Sequence, residues 1–226
     1  MLRKRATAQG LIRSFDPYDS LAHAYHRLFQ QLCQALPDPQ RRFCAIVSAV
    51  AQEDRSALAT NLAMISARTT QTSVLLMDAD TASPSLHRQF DLSADPGLSD
   101  LVAGAAEFEA AIRKVGDKGV SVLTCGSAPL SAVTLAESAD VLALLDRLRT
   151  RFSWVFADTA PLLTTPGTAL FSRRADGVLL AVRSAATRAP LVTKVVEKLE
   201  EAHANILGVV LTQRRFVIPR YVYKRL

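Results

Sequence analysis

With 226 residues, 49 % of them hydrophobic, the chain has enough apolar content for one well-buried domain and is small for two. Charged residues make up 21 %, which excludes a disordered composition, and no window approaches the ~18–20 apolar residues that span a bilayer. The net charge of +6 is concentrated at the ends, since Arg3, Lys4, Arg5, Arg13, Arg214, Arg215, Arg220, Lys224 and Arg225 leave 18 bases against 21 acids in the body.

The opening residues, MLRKRATAQGLIRSF, are basic but lack an apolar core, so they do not read as a secretory leader. We read 1–18 as a basic N-terminal segment. A helix follows over 19–36, with Leu21, Tyr25, Leu28 and Leu32 on one stripe. Nearly continuous apolar runs then recur at 43–50, 73–78, 120–124, 154–158, 177–182 and 206–212, as expected of strands covered on both faces. Helical patterns separate them at 56–69, 135–152 and 189–204. This alternation predicts an α/β fold, a parallel sheet with helices on both faces, over 19–212. Residues 213–226 form a basic tail containing Tyr221 and Tyr223. The basic ends suit an anionic membrane surface, a nucleic acid or an acidic partner, or are solvated tails. Cys33, Cys44 and Cys125 are odd in number and lack metal-like spacing, so they read as buried thiols in a reducing cytoplasm.

Ligands of such sheets sit at the carboxyl ends of the strands. There the first strand opens into SAVAQEDRS, the second ends in LLMDADTASPSLHRQF with Asp78 and Asp80, and the fourth ends in WVFADTAPLL with Asp158 and Thr159. Acids and a hydroxyl converging on one loop are the arrangement that holds magnesium beside a nucleotide phosphate.

These stretches resemble the bacterial tyrosine kinases (BY-kinases of the CpsD/CapB type), P-loop proteins that work in capsule and exopolysaccharide export. The resemblance rests on the Asp-x-Asp and PSLH of 78–87, on GLSDLVAG (97–104), on FSWVFADTAPLL (152–163), and on ADGVLLAVRSAATRAPLV and ILGVVLT. It implies a P-loop NTPase-like fold. It also implies a cytoplasmic protein at the inner membrane and a partner in a membrane polysaccharide co-polymerase (Wzz-like). In site terms it implies catalytic Asp78 and Asp80, a magnesium set of Ser56, Asp78 and Asp158, and Tyr221 and Tyr223 as phosphoacceptors.

The phosphate loop departs from that pattern. The family's loop runs approximately S-x-x-P-G-E-G-K-S-T. Here Ala51 replaces the proline, Gln52 and Asp54 replace the glycines, Arg55 the lysine, and Ala57 the second hydroxyl, while Glu53 and Ser56 remain. A side chain in a left-handed position costs roughly 1–2 kcal/mol. A carboxylate at Asp54 adds on the order of 3 kcal/mol for each like-charge pair at ~5 Å. Arg55 is free to pair instead with Asp54, Asp78, Asp80 or Asp158 and fill the site.

The helix motif E-x-x-R-x-x-R, which joins family kinases into a ring, falls on His23, His26 and Phe29, so a family-type ring is not expected and self-association stays open. Thr212 and Gln213 stand where relatives place an Asn near the base. The expectation is a kinase-like regulatory or scaffold subunit with no cofactor, Mg-ATP or Mg-ADP entering only if the altered loop still binds. The alternatives are an active ATP-dependent tyrosine autokinase and a ParA/MinD-type partitioning protein. Nucleic-acid binding is not expected, because the body is acidic.

Overall fold

The computed structural model describes residues 20–39, 42–116, 119–165 and 167–213. The basic segment 1–18 and the acceptors Tyr221 and Tyr223 lie outside the described residues.

The chain runs α1 (Ser20–Ala35), β1 (Phe43–Ser48), α2 (Arg55–Thr70) and β2 (Val74–Ala79). Three short helices follow, α3 (Leu86–Gln89), α4 (Leu98–Val102) and α5 (Phe108–Ala111), then β3 (Ile112–Val115) and β4 (Val120–Leu123). The second half is α6 (Ala132–Glu137), α7 (Ala139–Arg151), β5 (Trp154–Thr159), α8 (Gly167–Ser172), β6 (Gly177–Arg183), α9 (Ala189–Glu201) and β7 (Ile206–Thr212). The described strands form one sheet of seven, in the order β3-β4-β2-β5-β1-β6-β7.

All the predicted strands are present and pair in parallel. The sheet is nonetheless mixed, because β3 adds an antiparallel edge against β4. Its four residues, IRKV, are too short and too charged to read as a strand, and the two basic side chains suit an edge that must not pair further.

Strand alternation divides the core in two. Phe43, Ala45 and Val47 of β1 face a cluster with Leu145 and Leu148 of α7, Phe171 of α8, and Val195 and Leu199 of α9. Cys44 and Ile46 face the opposite cluster, with Phe29 and Leu32 of α1 and Leu58, Leu62 and Ile65 of α2. Trp154 anchors this second layer, edge-on to Phe29 at 5.2 Å and stacked on Phe156 at 5.4 Å.

Two local expectations need correction. The helix expected over 135–152 is broken at Ser138, whose hydroxyl accepts from the Asp140 N–H at 3.2 Å and starts a new helix. On α1 the buried residues are Ala22, Phe29 and Leu32; Tyr25 and Leu28 of the expected stripe pack half-buried against the same cluster, and Leu21 is exposed. The stripe therefore centres on Phe29, drawn inward by the Trp154 ring. Cys44 and Cys125 are buried free thiols, and Cys33 is half-buried. Among the described residues no helix is long and apolar enough to cross a membrane.

Candidate functional site

Parallel pairing brings the predicted acids together. Asp78 of β2 stands beside Asp158 of β5, and Ile46 of β1 stands on the other side of Asp158. The β1–α2 loop, residues 49–54, therefore rises directly over these carboxylates. Asp80 lies two residues past Asp78, and all three acids are buried.

Each carboxylate has its own partners. Asp78 Oδ2 accepts from the Ser85 and Leu86 N–H groups, both at 2.9 Å, and Oδ1 accepts from the Asp80 N–H at 3.2 Å. Burial and the nearby Asp158 charge push the Asp78 carboxyl up to about 7, against the pull of those three N–H donors. Asp80 Oδ1 closes a turn by accepting from Ala82 N–H at 3.1 Å and Ser83 N–H at 2.9 Å. Burial also raises the Asp158 carboxyl, with Arg55 opposing. Asp158 Oδ2 accepts no full hydrogen bond among the described residues, although the Ser56 hydroxyl lies near enough to favour the charged form.

Arg55 takes the free faces of two of these acids. Its Nε donates to Asp158 Oδ1 at 2.9 Å and its Nη2 to Asp80 Oδ2 at 2.7 Å. Its Nη1 donates to the Ser48 hydroxyl at 2.7 Å, and that hydroxyl donates on to the Val50 carbonyl at 2.9 Å. The fork shape of a guanidinium is what allows three partners at once. With 9 % of its surface exposed, Arg55 is a buried cation between two buried anions. Of the four acids weighed as partners for Arg55, these hydrogen bonds reach Asp80 and Asp158.

The loop keeps an unusual backbone. Gln52 and Asp54, at the two former glycine positions, have φ of 66° and 54°. Glu53 is buried and ties the loop down: Oε2 accepts from Ala49 N–H at 2.7 Å and Val50 N–H at 3.1 Å, and Oε1 accepts from the Thr187 hydroxyl. Its carbonyl accepts from the Thr212 hydroxyl at 3.0 Å. Thr212, considered for the base end of a nucleotide, is thus engaged by the loop itself. Ser56 accepts from the Ser85 hydroxyl at 3.3 Å, and Thr159 turns away to donate to the Ile46 carbonyl. Residues 52–57 and Gln89 line an open depression of about 280 Å³, and Ala57 sits on its wall as the first full turn of α2 begins.

Ser48, Thr187 and Gln89 were not anticipated as site residues. Ser48 carried a signal, a hydroxyl closing the apolar run FCAIVS at the carboxyl edge of a strand. Thr187 lies far along the chain and gives none. Of the helix positions His23, His26 and Phe29, the last belongs to the core.

No family model matches the chain. Its sequence is 27 % identical to the tyrosine-protein kinase YwqD of Bacillus subtilis (strain 168) over 207 residues, 92 % of this chain and 87 % of that protein. It is 29 % identical to the tyrosine-protein kinase etk of Escherichia coli (strain K12) over 196 residues, 87 % of this chain. There the chain spans only 27 % of the relative's length, and 28 % in the case of EpsB of Ralstonia solanacearum. Among solved structures, the chimerical protein CapA2B2 aligns with a TM-score of 0.83 at 27 % identity, over 92 % of this chain and 94 % of that one. The kinase domain of the Escherichia coli tyrosine kinase ETK aligns with a TM-score of 0.80 at 26 % identity, over 90 % of this chain and 81 % of that one. The Pyrococcus furiosus cell division ATPase MinD, at 22 % identity and a TM-score of 0.62, shares the fold. The homologues of this chain are bacterial tyrosine-protein kinases, and its fold is that of their kinase domains.

Proposed function

We propose that the protein is a kinase-like regulatory or scaffold subunit of a polysaccharide biosynthesis and export system, with a nucleotide site that no longer works as a kinase centre. It would act in the cytoplasm beside the inner membrane, on a separate membrane co-polymerase, with its basic ends drawn to anionic lipid. The observation that carries this reading is the pair of hydrogen-bonded ion pairs from Arg55 to Asp80 and Asp158.

Magnesium does not fit this arrangement. Of the residues expected to hold it, Ser56, Asp78 and Asp158, Asp158 already gives Oδ1 to the guanidinium, which leaves its Oδ2 beside that cation, and Asp78 already gives Oδ2 to two N–H groups. A divalent ion placed there would meet a fixed positive charge a few ångströms away, a repulsion of several kcal/mol even at an effective dielectric near 20. Asp54 sits at the lip of the depression with its own negative charge, where a phosphate would enter. Glu53 meanwhile consumes two N–H groups at the start of the loop. The cellular test is deletion of the gene. Loss of surface-polysaccharide export is expected, and intact export would defeat the reading.

An active autokinase has one observation in its favour. The loop holds positive φ at Gln52 and Asp54, so the backbone shape that cradles phosphate survives without glycine. Incubation with labelled ATP decides it: label on Tyr221 or Tyr223 that disappears in Asp78→Ala would establish the activity.

A further inference from the structure

On the face of the sheet that carries α7, a groove of about 330 Å³ runs between α4, the turn into α5, and α7. Its depth comes from small residues. Gly104 turns the chain with φ of 67° and has open space around it, and Ala106 and Ala143 stand on the walls. Its floor is apolar. Leu101, Val102 and Leu144 form it and pack half-buried against the core beneath.

The rim is charged, and its charges are unpaired. Glu107 and Asp140 are exposed, and neither carboxylate makes a hydrogen bond or ion pair among the described residues. Asp140 lies in the first turn of α7, where the helix dipole favours an acid. Glu107 has no such duty, because it precedes α5 without capping it through its side chain. Arg147 is engaged elsewhere: its guanidinium lies 3.8 Å over the Phe108 ring.

An open apolar trough with polar groups on its rim alone does little to orient a small molecule, and suits an apolar side chain presented by a peptide. The free carboxylates select what stands beside that side chain, namely Lys or Arg. They repel an anionic lipid headgroup, so the groove suits protein rather than bilayer. Cytoplasmic segments that flank transmembrane helices have the matching composition, with Lys and Arg in excess beside apolar and aromatic residues. We propose that the groove docks such a segment of the membrane partner. One apolar side chain sits on Leu101, Val102 and Leu144, and basic residues on either side pair with Glu107 and Asp140. This inference rests on the reading that the protein acts on a membrane protein, and not on the state of the nucleotide site.

The test is photo-crosslinking in the native cell, with p-benzoylphenylalanine in place of Ala143 in the full chain. The expected adduct is with a Lys- and Arg-rich cytoplasmic segment beside a transmembrane span, located by mass spectrometry. Glu107→Lys/Asp140→Lys should reduce it at least about tenfold, while Glu107→Asp/Asp140→Glu should keep it. No adduct, an adduct with a cytosolic protein, or one with this chain or a second copy of it would overturn the proposal. Export separates this proposal from the reading it rests on. If deletion of the gene leaves export intact, the reading itself falls. If deletion blocks export and the doubly charge-reversed chain restores it fully, the groove proposal alone falls.

Discussion

Arg55 Nε stands 2.9 Å from Asp158 Oδ1, so the residue in the loop's lysine position reaches down to the strand ends rather than out toward a phosphate. A flexible ammonium can point either way. The guanidinium is held by three acceptors and is committed.

Removing that cation leaves Asp80 and Asp158 buried without compensation. Arg55→Ala is expected to destabilise the fold by about 3–5 kcal/mol in urea unfolding. Arg55→Lys should lose less, about 1–2 kcal/mol, because an ammonium keeps the charge and forfeits part of the fork. A neutral effect of Arg55→Ala would mean that the ion pairs are not part of the folded state in solution.

Asp78 gives the site a pH dependence with a definite sign. Its folded value is raised to about 7 from 3.8, so between those values the folded state holds a proton that the unfolded state has released. Stability therefore falls as pH rises through this window, at most about 1.4 kcal/mol per pH unit. Burial raises Asp158 as well, which adds to the same trend. Urea unfolding at pH 5 and pH 7 should show the native protein losing about 2–3 kcal/mol, with much of that loss absent in Asp78→Asn.

Much of the fold was legible because parallel strands buried on both faces are nearly unbroken apolar runs. The strands at 43–48, 74–79 and 154–159 are of this kind. What escaped was short or context-dependent. The four residues of β3 are half-exposed or, at Lys114, exposed, and Ser138 breaks a leucine pattern that reads as continuous. The three acids were legible because each closes or follows an apolar strand. Their partners were less so. The choice of Asp80 and Asp158 over Asp78 for Arg55 depends on which oxygens the Ser85 and Leu86 N–H groups already occupy. Thr187 meets Glu53 only through the fold.

Glu53 should prove structural. Its side chain satisfies two buried backbone N–H groups and meets the Thr187 hydroxyl. Glu53→Ala strands those donors and should cost about 2–3 kcal/mol in urea unfolding. Thr187→Val, which removes one of the contacts, should cost about 1 kcal/mol.

Beside the site, the chain crosses itself closely at two glycines. A Cβ on Gly97 would lie 2.2 Å from the Gly126 nitrogen and 2.5 Å from the Thr124 carbonyl oxygen, both backbone atoms. Gly97→Ala should therefore destabilise by about 3 kcal/mol or more, read as a lower midpoint in thermal unfolding. Gly104→Ala, with open space around it but a φ of 67°, should cost only about 1 kcal/mol.

The ion pairs of Arg55 close this site to a magnesium nucleotide. Calorimetric titration of the purified protein with Mg-ADP and Mg-ATP tests it most directly, beside a variant carrying Gln52→Gly, Asp54→Gly and Arg55→Lys. No heat of binding is expected in the native protein, and measurable binding in the variant. Micromolar binding by the native protein would contradict it and return the chain to the active kinases.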